Sequence, residues 1–237
     1  MIQTQDFTKG VIWKQLLFFF FPILIGSFFQ QLYNTVDTII VGQAVGTSAL
    51  AAVGSTGNLT NLIVNFYVGL STGASVVIAQ YYGAQNNKKI HQAVHTSYIL
   101  AIVSGILMML FGLFFSYQCL DAIGTPHDIL NDATLYMQLY FLCMIPGAIY
   151  NIGAGILRAV GDSKRPLYYL IVCSIVNVVF DFIFVVIFHQ GIAGAAIATV
   201  IAQSVCAILV TIQLMRTNEV YKLTLSKMIF HLPVLKK

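Results

Sequence analysis

Apolar residues in this chain are gathered into six long runs, approximately 16–41, 56–80, 95–117, 133–155, 166–188 and 193–215. Each is about twenty residues or slightly more, enough to cross ~30 Å of hydrocarbon as a helix rising about 1.5 Å per residue. The pattern therefore predicts an all-α membrane protein of six transmembrane helices. The connectors between the runs alternate in charge. Lys9 and Lys14 precede the first run, Lys88 and Lys89 follow the second, and Arg158, Lys164 and Arg165 follow the fourth. Arg216, Lys222, Lys227, Lys236 and Lys237 follow the sixth, which accounts for all 12 Lys and Arg residues. The other three connectors hold no basic residue, and one of them carries Asp121, Asp128 and Asp132. By the positive-inside rule both termini are expected in the cytoplasm, and the chain is expected in the cell membrane.

Composition agrees with this pattern. The chain is 58% hydrophobic and 8% charged, against about 25% charged residues in soluble domains. Its net charge of +4 is spread over four segments on one side, so it marks topology and not a nucleic-acid footprint. The first run continues past Pro22 to Gln30, Asn34 and Asp37 without a small-residue cleavage site, so it is expected to be retained. Cys119, Cys143, Cys173 and Cys206 are scattered singly, which suits packing better than metal or redox chemistry.

The connectors carry turn chemistry. Residues 42–55 are rich in small residues and predict a tight connection with a helical turn near Ser48–Val53. A second turn is expected at 83–92, and Gly124-Thr125-Pro126 breaks the chain before the fourth run. Gly161 suits the end of one helix and Pro166 the first turn of the next. Residues 1–216 form the expected transmembrane lobe. Residues 217–237 mix basic and apolar positions, as in a cytoplasmic interfacial segment or the start of a linker.

Two acids stand inside the apolar runs. Asp37 lies in the second half of the first, and Asp181 toward the far end of the fifth. On insertion scales a carboxylate at mid-membrane costs ~2.5–3.5 kcal/mol, and neither has a basic neighbour three or four residues away on its own helix. Such residues mark ion or substrate pathways, and the partners that chemistry requires are protons or cations. Gln30, Asn34 and Asp37 share one helix face, as do Asn177 and Asp181. Several oxygens on one face suit sodium or a proton relay. Asn58, Asn61 and Asn65 form a second polar stripe, equally suited to lining a cavity and to hydrogen bonding between helices. Pro22 and Pro146 each remove a helical hydrogen bond and predict kinks, that at Pro22 on the helix bearing Asp37.

Enzyme chemistry finds no support. Gly69-Leu70-Ser71-Thr72-Gly73 matches the nucleophile elbow, but that motif needs a strand-to-helix turn and this one falls inside an apolar run. No zinc-protease or phosphate-loop motif is present, and no cofactor is implied.

Two stretches resemble a known family. Residues 31–54, QLYNTVDTIIVGQAVGTSALAAVG, look like the signature of the MATE (multidrug and toxic compound extrusion) transporters. Residues 157–166, LRAVGDSKRP, resemble that family's loop between its fourth and fifth helices. The resemblance implies the amino-terminal half of a twelve-helix antiporter, ending where the linker to a second six-helix lobe would begin. The chain is then a fragment or a half-size relative, and the missing partner is that second lobe or another copy. In the DinF-like branch a cation site is built from residues matched here by Asp37, Asn177, Asp181, Thr199 and Tyr136, and Pro22 matches the bending point of the first helix. The implied function is export of small amphipathic or cationic compounds against Na+ or H+. The alternative is a lipid-linked oligosaccharide flippase of the same superfamily, whose groove calls for cations that no run shows at its centre.

Overall fold

The structure is a computed structural model and describes residues 12–224. Its regular elements in this range are all helices: α1 (Ile12–Ala44), α2 (Thr47–Gly83), α3 (Asn87–Ala122), α4 (His127–Phe141), α5 (Met144–Ala159), α6 (Lys164–Asp181) and α7 (Gly191–Arg216). A π-helical stretch, Phe182–Ile187, continues α6. Five of these helices are long and apolar enough to cross a membrane, and α4 with α5 makes a sixth, broken span. The six runs of the sequence thus correspond to six crossings. Lys9, Lys227, Lys236, Lys237 and the rest of 225–237 lie outside the described residues.

The fourth crossing is broken where proline chemistry places the break. Pro146 has no N–H for the carbonyl of Leu142, and its ring crowds that carbonyl. α4 ends at Phe141, α5 starts at Met144, and their axes differ by 47°. Pro22 behaves otherwise: α1 runs through it for 33 residues with no interruption.

The connectors are shorter than the sequence suggests. Residues 42–55 were expected to be mostly a turn, yet α1 reaches Ala44 and α2 begins at Thr47. The reason is composition: alanines at 49, 51 and 52 favour helix, and the reversal is left to Gly46 at φ 111°. At the next turn the Asn86 side chain caps α3 by accepting from the Lys89 N–H at 3.1 Å. Thr125 and Pro126 end their connector and α4 starts at His127, six residues before the expected start of the run. After Gly161 (φ 87°), Asp162 accepts from the Arg165 N–H at 3.1 Å and pairs with its guanidinium at 3.0 Å, which starts α6.

α5 is the central helix, packed against α2, α3 and α7, while α6 lies between α1 and α7. Small residues set these spacings. A Cβ on Gly105 of α3 would stand 2.8 Å from the Ile145 Cα of α5. Large apolar side chains such as Phe18, Phe28, Leu62, Leu107 and Phe114 are exposed, as lipid-facing positions require. Beyond α7 the chain folds back. Tyr221 and Leu223 are buried, the Leu223 N–H donates to Leu214 O at 2.9 Å, and the Thr224 N–H donates to His95 Nε2 at 3.1 Å. Residues 217–224 therefore pack on the basic end of the bundle.

Candidate functional site

Four helices bring the two intramembrane acids to one region. Asp181, on the last turn of α6, is fully buried, with Asn177 one turn before it at 1% exposure. Across from them on α7, Thr199 lies 3.5 Å from Asn177 Nδ2 and donates its hydroxyl to Ala195 O at 3.1 Å. Asp37 comes from α1 and Tyr136 from α4. Asp37 and Tyr136 line one cavity, and α1, which bears Asp37, packs against α6 and the π-helical stretch beside Asp181. Spacing paired Asn177 with Asp181; only the tertiary fold adds residues from three other helices.

The oxygens in this region are short of donors. Asp181 Oδ1 and Oδ2, Asn177 Oδ1 and Asp37 Oδ1 are buried and have no hydrogen-bond partner among the described residues. Leaving a buried polar group unpaired costs roughly 1–3 kcal/mol, more for a charged one. Four oxygen acceptors without donors fit a proton or a hard cation such as Na+, which takes oxygen ligands. All four are oxygen ligands, the donor type that hard cations take in preference to softer metals.

The backbone beside Asp181 is irregular. The π-helical stretch begins at Phe182, immediately after the acid. Such wide turns are rare and frequent at functional sites, because they re-aim side chains and loosen the hydrogen-bond ladder. No composition signal in FIFVVI announces it.

Next to the acids a polar cavity of about 580 Å³ opens between α1, α2 and the α4–α5 break. Gln30, Asn34, Asp37, Asn61 and Tyr136 line it. Asn58 and Asn65 do not. All three asparagines are exposed, but only Asn61 is among the residues lining the cavity, so the stripe read along α2 is divided. Residues missed by the sequence reading also line it, among them Tyr33, Tyr140, Asn151 and Gln203. Some signal existed: Tyr136 and Tyr140 are i, i+4 and stack with centroids 6.1 Å apart, and Thr199 and Gln203 are an i, i+4 polar pair on apolar α7. Pro22 is buried and lines a second cavity further along α1.

The remaining sequence candidates settle as packing. Ser71 of the Gly69–Gly73 motif is inside α2, 1% exposed, and donates to Asn151 O at 2.6 Å, so it is a helix–helix contact and no nucleophile. Cys173 and Cys206 are buried and donate weakly to Ala202 O and Tyr169 O.

A six-crossing lobe with paired acids beside a polar cavity is the half-unit of a membrane transporter, and comparison with known proteins places it. The MatE signature matches residues 22–183, and the chain belongs to the MATE family of multidrug transporters. It is 30% identical over 203 residues to a probable multidrug resistance protein, YoeA, of Bacillus subtilis (strain 168), covering 84% of this chain and 44% of that protein. It is 26% identical over 183 residues to the DNA damage-inducible protein F of Escherichia coli (strain K12), covering 77% of this chain and 40% of that protein. A crystal structure of a MATE protein in the bent conformation superimposes with a TM-score of 0.87 at 27% identity, covering 94% of this chain and 50% of that one. An outward-facing MATE transporter of the MOP superfamily gives a TM-score of 0.87 at 28% identity, covering 94% of this chain and 49% of that one. The chain therefore spans half or less of the length of these relatives and corresponds to one lobe of the MATE fold.

Proposed function

We propose that this chain forms the amino-terminal lobe of a cation-coupled antiporter that exports small amphipathic or cationic compounds, with both termini in the cytoplasm. The observation that carries this reading is the set of donorless oxygens on Asp37, Asn177 and Asp181 within the membrane-crossing region. A Na+ or H+ bound there neutralises charge whose isolation in hydrocarbon is costly. Asp37 both belongs to the ion region and lines the 580 Å³ cavity, so ion and cationic substrate would compete for one negative charge. Asn177 and Thr199 would serve as neutral oxygen ligands, and Tyr136 would close the site from α4. Binding favours whichever lobe conformation brings these groups closer, so ion and substrate gradients are exchanged by population shift.

Multidrug export is what the relatives' names describe, and substrate identity comes to this chain only by that likeness. The partner is a second six-helix lobe, inserted in the same orientation because an even number of crossings returns the chain to the same side. The flippase alternative requires cations for a pyrophosphate, and the cavity beside Asp37 has none in its own lining, Arg158 standing in the adjoining cavity. Efflux by the transporter formed with the second lobe tests the proposal. Asp37→Asn and Asp181→Asn should each abolish coupled efflux of a cationic dye from cells while membrane insertion persists. Wild-type efflux by both variants would remove the carboxylates from the coupling site.

A further inference from the structure

A second charged group is held between helices, at the opposite end of the lobe. Arg158 occupies the last turn of α5, where the topology rule alone would have it extended into water. Its guanidinium instead turns inward, and Nη2 lies 3.5 Å from the Ser71 hydroxyl of α2. Gly155, one turn earlier, permits this approach: a Cβ there would collide with the hydroxyls of Ser71 and Ser75. The Ser71 proton is already committed to Asn151 O, so Ser71 offers Arg158 only an oxygen at long range. A guanidinium carries five N–H donors. The carboxylate nearest in sequence, Asp162, is paired with Arg165 at 3.0 Å.

Two cavities meet at Arg158 and Thr72. One, of about 340 Å³, presents Tyr150 and Ser163; the other, of about 440 Å³, presents Leu16, Phe19, Val76 and Ala79. A cation flanked by hydroxyls on one side and apolar side chains on the other matches a molecule with an anionic head and an apolar body. Neither cavity is lined by Asp37 or Asp181, and the 340 Å³ one shares Gln30, Asn151 and Gln203 with the cavity beside Asp37. Asp181 stands at the far end of α6 from the α5–α6 connection that Arg158 precedes.

We propose that the Arg158 cavity is a binding site for an anionic amphiphile, with a phosphate or carboxylate head on the guanidinium and a tail over Leu16, Phe19 and Val76. The site contains neither coupling acid, and its polar side adjoins the cavity that Asp37 lines. It places a positive subsite at the end of the lobe where the basic connectors gather, so an anionic lipid in that leaflet reaches it from the α1–α2 side.

The single tryptophan of the chain, Trp13, stands one turn before Leu16 on α1 and supplies a probe. The full chain in phosphatidylcholine bilayers is titrated with brominated phosphatidylglycerol at low mole fraction, and quenching of Trp13 fluorescence is followed. Saturable quenching is expected, displaced by unbrominated phosphatidylglycerol and much less by added phosphatidylcholine or inorganic phosphate. Arg158→Gln should weaken the apparent affinity by about ten-fold or more, the lower end for a charge-assisted hydrogen bond. Arg158→Lys, which keeps the charge, should weaken it only a few-fold, and Lys88→Gln not at all. Wild-type affinity in Arg158→Gln would overturn the proposal. So would an equal loss in Lys88→Gln, which would reduce the effect to general surface charge. Displacement by inorganic phosphate as effective as by the lipid would overturn the amphiphile, since the tail would then contribute nothing.

Discussion

Asp181→Asn is the substitution for which the structure gives the sharpest expectation. The side chain is 0% exposed, and neither carboxylate oxygen has a hydrogen-bond donor among the described residues. Removing a charge from such a position relieves about 2.5–3.5 kcal/mol on insertion scales. The new amide also supplies donors where donors are lacking: Asn177 Oδ1, one turn away, can accept one of them. On the soluble-protein conversion of about 2–4 °C per kcal/mol for a chain of this size, the variant should melt roughly 5–14 °C above wild type without sodium. Sodium should then act in the opposite sense. A ligand at one hundred times its Kd stabilises by about 2.7 kcal/mol, so saturating NaCl should raise the wild-type Tm by several degrees and leave the variant unmoved. The assay is thermal unfolding of the detergent-purified chain, followed by intrinsic fluorescence, with choline chloride replacing NaCl at matched ionic strength. If protons are the coupling ion, acidification takes the place of sodium and closes the gap between wild type and variant. The reasoning is refuted if the two proteins melt together under every condition.

Other expectations follow from the same geometry. Single cysteines at Val45 and Asp128 should react with an impermeant reagent from outside intact cells and one at Asn86 should not; labelling of Asn86 from outside would invert the topology. Gly105→Ala forces a methyl to within 2.8 Å of the α5 backbone and should cost about 1–3 kcal/mol in thermal unfolding, whereas Gly69→Ala, with nothing within 4 Å, should gain up to about 1 kcal/mol in helix propensity. Taken alone, the chain exposes Asn34, Asn58, Asn61 and Asn65 and should either pair with another six-crossing unit or insert without activity. Size-exclusion chromatography with light scattering and liposome efflux check this, and a monodisperse monomer with strong coupled transport would refute it.

What the sequence decided by itself is whatever depends on one segment at a time. Membrane crossing is a matter of summed transfer free energy along one run, so six apolar segments long enough to cross were legible, while sidedness rests on the basic residues of the connectors and belongs to the proposal. Asp37, Asn177 and Asp181 stood out because a polar group in hydrocarbon is costly wherever its neighbours lie. Thr199 and Tyr136 came from family resemblance, since a threonine and a tyrosine cost little in a helix and carry no local signal. The tertiary structure alone decided how residues from α1, α4, α6 and α7 come to one region, which depends on packed neighbours and not on chain neighbours. It also decided that the fourth crossing breaks at Leu142–Cys143 while α1 passes Pro22 uninterrupted, although both carry a proline. Freed carbonyls and ring clashes are local, but whether a helix yields to them depends on what packs beside it. Asn58 and Asn65 fall outside the cavity lining, and Arg158 inside one, for the same reason. The helix period fixes which residues share a face, and only the positions of the other helices fix what that face meets.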